Sequence, residues 1–219
     1  METLRPRVSA ARGRVVSTSR HVKSRLAGRA VPIDCRISAD QWDKEFARGD
    51  WNRLDDIAEV AHYAVILGFL DYGVAQPRIL DVGCGHGRLT RLLARFGFSD
   101  YLGIDFSVQA VQRAEALSIP DARFEVTDMN HWDTTDRFDA VVLNESLYYA
   151  DHPLQVFERA LGWLTEDGIV IVSMFEPTPG ASQIWSQIMS RAIESIAATT
   201  VTDHGSGNVW DIQAMRRTR

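Results

Sequence analysis

The chain has 219 residues, of which 45% are hydrophobic and 24% charged, with a formal net charge of −5. That is room for one α/β domain and ordinary globular composition. No apolar run approaches the ~20 residues of a membrane-spanning helix, which excludes an integral helical membrane protein. Cys35 and Cys84 are too few for a disulfide framework and suit a reducing cytosol.

The N-terminus lacks the apolar central region of a signal peptide, so a cytoplasmic location is expected. Residues 1–30 hold eight Lys or Arg against the single acid Glu2. This arm carries about +7, and the remainder therefore about −12. The arm reads as a poorly ordered tail, or else as a contact for an anionic surface or a transit peptide. An acidic body argues against a nucleic-acid partner.

After a helical lid expected over residues 31–70, with Trp42 and Trp51 as packing anchors, a catalytic domain is expected over 71–219. Residues 31–53 show little regularity, whereas 54–70 read as one helix with apolar positions at Ile57, Ala61, Ala64 and Val65. From residue 78 onward, apolar strands alternate with amphipathic helices, the pattern of a parallel sheet covered on both faces. Strands are expected at 78–82, 101–104, 123–126, 138–143 and 168–175. Helices are expected at 87–96, 108–117, 153–164 and 182–197, with Ser107 as an N-cap and Pro153 in a first turn. Strand-like runs at 199–203 and 209–215 flank the Gly-rich stretch 204–208, a hairpin that makes the last strand antiparallel.

The segment DVGCGHG, residues 81–87, lies where the first strand gives way to a helix. Glycine there reaches backbone conformations closed to other residues and lets a ligand press on the main chain. The G-x-G-x-G spacing after an acid differs from the G-x-G-x-x-G of dinucleotide folds. Two further acids, Asp105 in YLGIDFS and Asp128 in FEVTDMN, end the second and third strands.

This constellation resembles motif I and its partners in the class I S-adenosylmethionine-dependent methyltransferases, over roughly residues 54–215. The resemblance implies a Rossmann-like fold: a seven-stranded, mostly parallel sheet with an antiparallel C-terminal hairpin strand and helices on both faces. It implies S-adenosyl-L-methionine as cofactor, held by Asp81, Gly83, Cys84, Gly85 and Gly87. Asp105 would lie on the ribose, Asp128 on the adenine amino group, and Phe106 and Met129 beside the ring. Asn144 and Tyr63 would lie at the methionine end.

The fourth strand runs into LNESLYYADHP, residues 143–153, where methyltransferases of DNA adenine or protein glutamine carry Asn-Pro-Pro-aromatic or its variants. It is similar instead to small-molecule enzymes. Together with WNRLDDIAEVAHYAVILGFL and IVIVSMFEP it resembles actinobacterial methyltransferases of sugars and natural products. That implies a carbohydrate hydroxyl as acceptor, a methylated mannoside among the possibilities. Glu145 is the first candidate for general base, with His152 and His131 as further candidates. Glu145, Asp151 and Glu176 are available oxygen ligands should a divalent metal such as Mg2+ lower the hydroxyl's pKa, although no tight ligand motif is present. A small amine is the alternative acceptor, for which Tyr148 and Tyr149 could stabilise cationic character, and a cofactor-binding protein without catalysis is a third reading. The apolar residues of 184–196 leave a homodimer open.

Overall fold

The computed structural model describes residues 38–73, 75–176, 178 and 180–218. The basic arm and Cys35 lie outside the described residues. The described chain opens with a helix, α1 (Ala39–Arg48). Ser38 accepts a hydrogen bond from the Gln41 N–H at its start, and Gly49 ends it at φ 77°. Trp42 and Phe46, four apart, form its buried stripe. A helix thus stands where the sequence offered little periodicity.

The single helix expected over 54–70 is divided. Two 3-10 turns, Asn52–Asp55 and Ile57–Glu59, precede α2 (Val60–Gly73). Asp56 between the turns is extended, at φ −69° and ψ 154°. Helical continuity yields there to tertiary contacts, because Asp55 is held by Arg88 at 3.2 Å and also by Arg91, while Glu59 turns inward to 5% exposure.

The sheet is seven-stranded: β1 (Arg78–Val82), β2 (Asp100–Asp105), β3 (Ala122–Val126), β4 (Phe138–Asn144), β5 (Leu164–Phe175), β6 (Ile193–Asp203) and β7 (Asn208–Arg217). Its order is β3-β2-β1-β4-β5-β7-β6. The first five strands run parallel, and β7 runs antiparallel to both β5 and β6. Helices α3 (Arg88–Leu93), α4 (Val108–Glu115), α5 (Pro153–Gly162) and α6 (Ala181–Met189) follow β1, β2, β4 and β5. Ser107 caps α4 through Ala110 N–H, and Pro153 opens α5.

The sheet separates two cores. One joins Leu80, Val82, Leu143 and Val172 to Phe157 of α5 and Ile188 of α6. The other joins Ile79, Val142, Ile171 and Trp210 to Ile66 of α2 and Leu89 of α3. Alternate residues of β1, β4 and β5 thus point into opposite cores, which is why these strands read as continuous apolar runs. No helix among the described residues is long and apolar enough to cross a membrane.

The helix expected over 182–197 stops at Met189, and residues 193–197 open β6 instead. Ile184 and Ile188 keep helical spacing and are buried. Beyond Met189, pairing decides the conformation, with Ile193 opposite Arg217 and Asp203 opposite Asn208 at the two ends. A ladder spanning all of β7 outweighs the helical preference of Glu194 and Ala197.

The strand order reverses at β1, which has β2 on one side and β4 on the other. Beyond the carboxyl ends of such strands an open α/β sheet leaves a crevice for ligands.

Candidate active site at the carboxyl ends of β1, β2 and β4

The loop after β1 holds Gly83, Gly85 and Gly87 at φ 81°, 54° and 78°, a region that L side chains avoid. Two of these glycines also serve packing. A Cβ on Gly83 would lie 2.4 Å from Ser146 Cβ, and one on Gly87 would lie 2.8 Å from Leu117 Cδ1. Gly85 differs, since the nearest atom to its Cβ position is Phe46 Cζ at 3.8 Å. Its side is open towards α1, and there a ligand can approach the backbone.

Asp105, at the end of β2, accepts hydrogen bonds from the Gly85 and Ser107 N–H groups, each at 2.9 Å. Burial pushes its pKa up to about 6, against the lowering effect of these N–H donors. The same carboxylate therefore ties the glycine loop to the start of α4. Asp43 of α1 accepts from Ser107 Oγ at 2.5 Å and from Gln109 N–H at 3.2 Å, so α1 is pinned to that point as well. A second tie runs from Asp55 to Arg88, Arg91 and His86 at the start of α3.

The other residues singled out from sequence occupy varied positions. Asp81 is 2% exposed and accepts from Tyr101 Oη at 2.5 Å, within the sheet. Burial raises its pKa to about 7. Cys84 is buried, and its thiol donates to the Gly85 carbonyl at 3.6 Å. Phe106 meets the edge of Trp42 at 5.9 Å between centroids. Met129 reaches within 3.7 Å of the Gly83 Cβ position. Asp128 is exposed and accepts from the backbone and side chain of Asn130, each at 2.8 Å. Asn144 Oδ1 is buried without a hydrogen-bond partner.

At the end of β4, Glu145 adopts φ 56°, a left-handed conformation unusual for a non-glycine residue. Its N–H donates to the Ser173 carbonyl at 3.0 Å. Its carboxylate accepts from Tyr148 Oη at 3.0 Å and Ser173 Oγ at 3.2 Å. Burial lifts its pKa to about 8, the two hydroxyl donors oppose that rise, and the Glu59 charge adds to it. Such a carboxyl group can give or take a proton near neutrality. The ring of Tyr148 meets Tyr149 at 4.7 Å, and Tyr149 stands nearly perpendicular to Trp42 at 5.0 Å between centroids. Trp51 stacks on Trp42 at 4.5 Å, which completes an aromatic cluster with Phe46 and Phe106 over the loop.

His131 and His152 are exposed, the first in the turn after β3 and the second just before α5. The hydrogen bonds that hold Glu145 involve neither. Asp151 and Glu176 are exposed too. Among the described residues no three His, Cys, Asp or Glu side chains gather as a metal site, so the oxygen set of Glu145, Asp151 and Glu176 is not brought together.

Instead the structure brings Glu59, His62 and Tyr63 of α2 and its preceding turn to this corner. Glu59 lies 3.5 Å from Arg53, and its Oε2 lies 3.7 Å from His62 Nδ1. His62 is fully buried between Tyr63 and Trp210, at 4.3 and 4.7 Å between centroids. Neither ring nitrogen has a hydrogen-bond partner. Burial, with Arg88 nearby, lowers its pKa to about 3, so the ring is neutral. Tyr63 is 4% exposed, and burial together with the acids Asp81, Glu59 and Glu145 raises its pKa. Tyr63 was legible from sequence, whereas Glu59 and His62 were not singled out. Their only signal was an acid and a histidine three apart beside that tyrosine on an otherwise apolar helix.

Residues 49–217 match the family model described as a methyltransferase domain, and the chain belongs to that family. A trans-aconitate 2-methyltransferase of Rhizobium etli is 30% identical over 98 residues, which are 44% of this chain and 38% of that protein. The match thus spans well under half of that relative's length. Among solved structures, the N-methyltransferase NodS of Bradyrhizobium japonicum WM9 with S-adenosyl-L-homocysteine superposes with a TM-score of 0.71 at 18% identity, covering 83% of this chain and 98% of that one. The 1,6-didemethyltoxoflavin-N1-methyltransferase of Burkholderia thailandensis, with 1,6-didemethyltoxoflavin and S-adenosylhomocysteine bound, gives 0.69 at 18% identity, covering 83% and 87%. At such identities the likeness is one of fold.

Proposed function

We propose that the chain is an S-adenosyl-L-methionine-dependent methyltransferase acting on a small molecule. The observation that carries this reading is the glycine loop with its open side at Gly85, tied to the buried acid Asp105 at the end of the adjacent strand. Family membership and the ligands named for the neighbours NodS and the toxoflavin enzyme support it. When bound, S-adenosylmethionine supplies a methyl group activated on a sulfonium.

The residues fit such a ligand. Asp105 would accept from the ribose hydroxyls with its free lone pairs while keeping its two N–H donors, and Phe106 and Met129 would flank the adenine with Asp128 at its rim. Asn144 offers its unpartnered Oδ1 to the methionine end, with Tyr63 beside it. Of the lid expected over residues 31–70, the described residues 38–70 would cover this site. Asp81 acts in this reading through Tyr101, by setting the end of β1.

Glu145 is the proton acceptor on the acceptor side. A sugar hydroxyl, a methylated mannoside included, is the acceptor that the sequence resemblance implies; the relatives described above are named for trans-aconitate and for nitrogen acceptors. Calorimetric titration with S-adenosylmethionine and S-adenosylhomocysteine tests the cofactor, and transfer of labelled methyl to fractionated extract tests catalysis. A chain that binds the cofactor but labels nothing is a cofactor-binding protein without catalysis.

A further inference from the structure

Within the methyltransferase reading, on which this step rests, we infer that the acceptor is a small amine, held as its ammonium by the Glu145 carboxylate beside the rings of Tyr148, Tyr149 and Trp42. Three acceptor chemistries meet the same wall differently. A carboxylate acceptor needs a cation to pair with, and among the described residues the guanidinium groups of this corner already pair with acids, Arg53 with Glu59 at 3.5 Å and Arg88 with Asp55 at 3.2 Å, although Arg88 Nε itself has no hydrogen-bond partner. A neutral hydroxyl acceptor can donate a hydrogen bond to the carboxylate, but it gains nothing from the attraction of aromatic rings for cations. An ammonium ion gains twice, from a charge-assisted hydrogen bond to a half-buried carboxylate and from aromatic faces that attract cations.

Three aromatic rings adjoin the carboxylate in sequence. Tyr148 is bonded to Glu145 itself at 3.0 Å, Tyr149 abuts Tyr148 at 4.7 Å, and Trp42 abuts Tyr149 at 5.0 Å. Glu59 adds a second carboxylate whose charge reaches Glu145. His62, fully buried beside Glu59, keeps both ring nitrogens unpaired. Fully buried and neutral, it adds no positive charge to this corner.

The chemistry balances on these groups. The ammonium passes one proton to Glu145 and so exposes the nitrogen lone pair. That pair forms the new N–C bond as the S–C bond of the sulfonium breaks. The positive charge moves from sulfur to nitrogen, still among the aromatic rings, and the leaving group is the neutral thioether. A carboxyl group whose pKa burial has raised to about 8 is a stronger proton acceptor than an ordinary carboxylate, which suits this exchange.

The test uses the full-length chain, trideuteromethyl-labelled S-adenosylmethionine, and a panel of primary and secondary amines each paired with its isosteric alcohol and carboxylate. Mass spectrometry is expected to find the label on nitrogen. Glu145→Gln is expected to lower kcat/KM for the amine by ~100-fold or more, with S-adenosylhomocysteine affinity unchanged. The amine is also expected to raise the melting temperature of the wild-type S-adenosylhomocysteine complex and not that of the variant complex. Label found only on oxygen overturns the inference and leaves the methyltransferase reading standing. So does cofactor binding with no amine of the panel labelled or bound. Unchanged amine turnover in Glu145→Gln overturns it as well. A wild-type chain that binds no cofactor brings down both readings.

Discussion

The ends of β1 and β2 and the end of β4 lie side by side in one sheet but are built differently. On the first side the key groups are backbone N–H groups and one acid, Asp105, bonded to residues 20 positions away or fewer. On the second side Glu145 is fixed by Ser173, 28 residues on, and is flanked by side chains from α1 and α2. A local backbone device survives in any sequence that keeps its glycines and its acid. A side-chain cluster drawn from four distant elements depends on all of them at once, and in the proposed reading acceptor specificity would reside there.

Breaking the first side has the largest expected effect on cofactor binding. Asp105→Ala removes a charged acceptor and strands the Gly85 and Ser107 N–H groups, so S-adenosylmethionine affinity should fall by ~10–100-fold in calorimetric titration. On stability the largest effect is expected from Trp42→Ala, which empties the centre of the aromatic cluster. A loss of ~3 kcal/mol in denaturant unfolding is expected, with the acceptor KM raised more than the cofactor Kd.

The two sides should then separate by pH. The Asp105 pKa is raised to about 6, so the carboxylate protonates below that value. Cofactor affinity should weaken as pH falls through about 6 and hold steady above it.

Glu145 gives the opposite kind of effect, on stability. Its folded pKa of about 8 lies above the ordinary 4.5, so ionising it costs the folded state progressively from about pH 4.5 to about pH 8. Glu145→Gln should melt a few degrees higher than wild type above about pH 8, with the gain shrinking to nothing near pH 4.5, while turnover falls. Equal melting curves at all pH values would contradict the buried, strained placement of Glu145. The smallest effect belongs to Asp55→Asn. Its ion pairs are partly exposed, so thermal unfolding should register less than ~1 kcal/mol.

The same contrast explains what could be read in the sequence. The sheet, the cap at Ser107 and the hairpin turn were legible because each follows from local periodicity or turn chemistry. The glycine loop and Asp105 were legible because a ligand pressed on backbone demands particular residues at fixed spacing. The break at Asp56 and the strand at residues 193–197 were not, since long-range ion pairs and pairing with β7 overrode local preference there. His131 and His152 drew notice as titratable residues near strand and helix ends, but the chain carries both to the surface. Glu59 and His62 drew none, because an acid and a histidine near the start of a helix ordinarily face water. In the fold His62 packs between Tyr63 and Trp210, and Glu59 pairs with Arg53.

The most direct test of the account is isothermal titration of the full-length chain with S-adenosylmethionine at neutral pH, beside Asp105→Ala under the same conditions. One saturable site in the wild type, much weakened in a variant that still unfolds cooperatively, is the expected result. A folded wild-type chain that releases no heat with the cofactor, or an Asp105→Ala chain that binds it as tightly, would contradict the central claim.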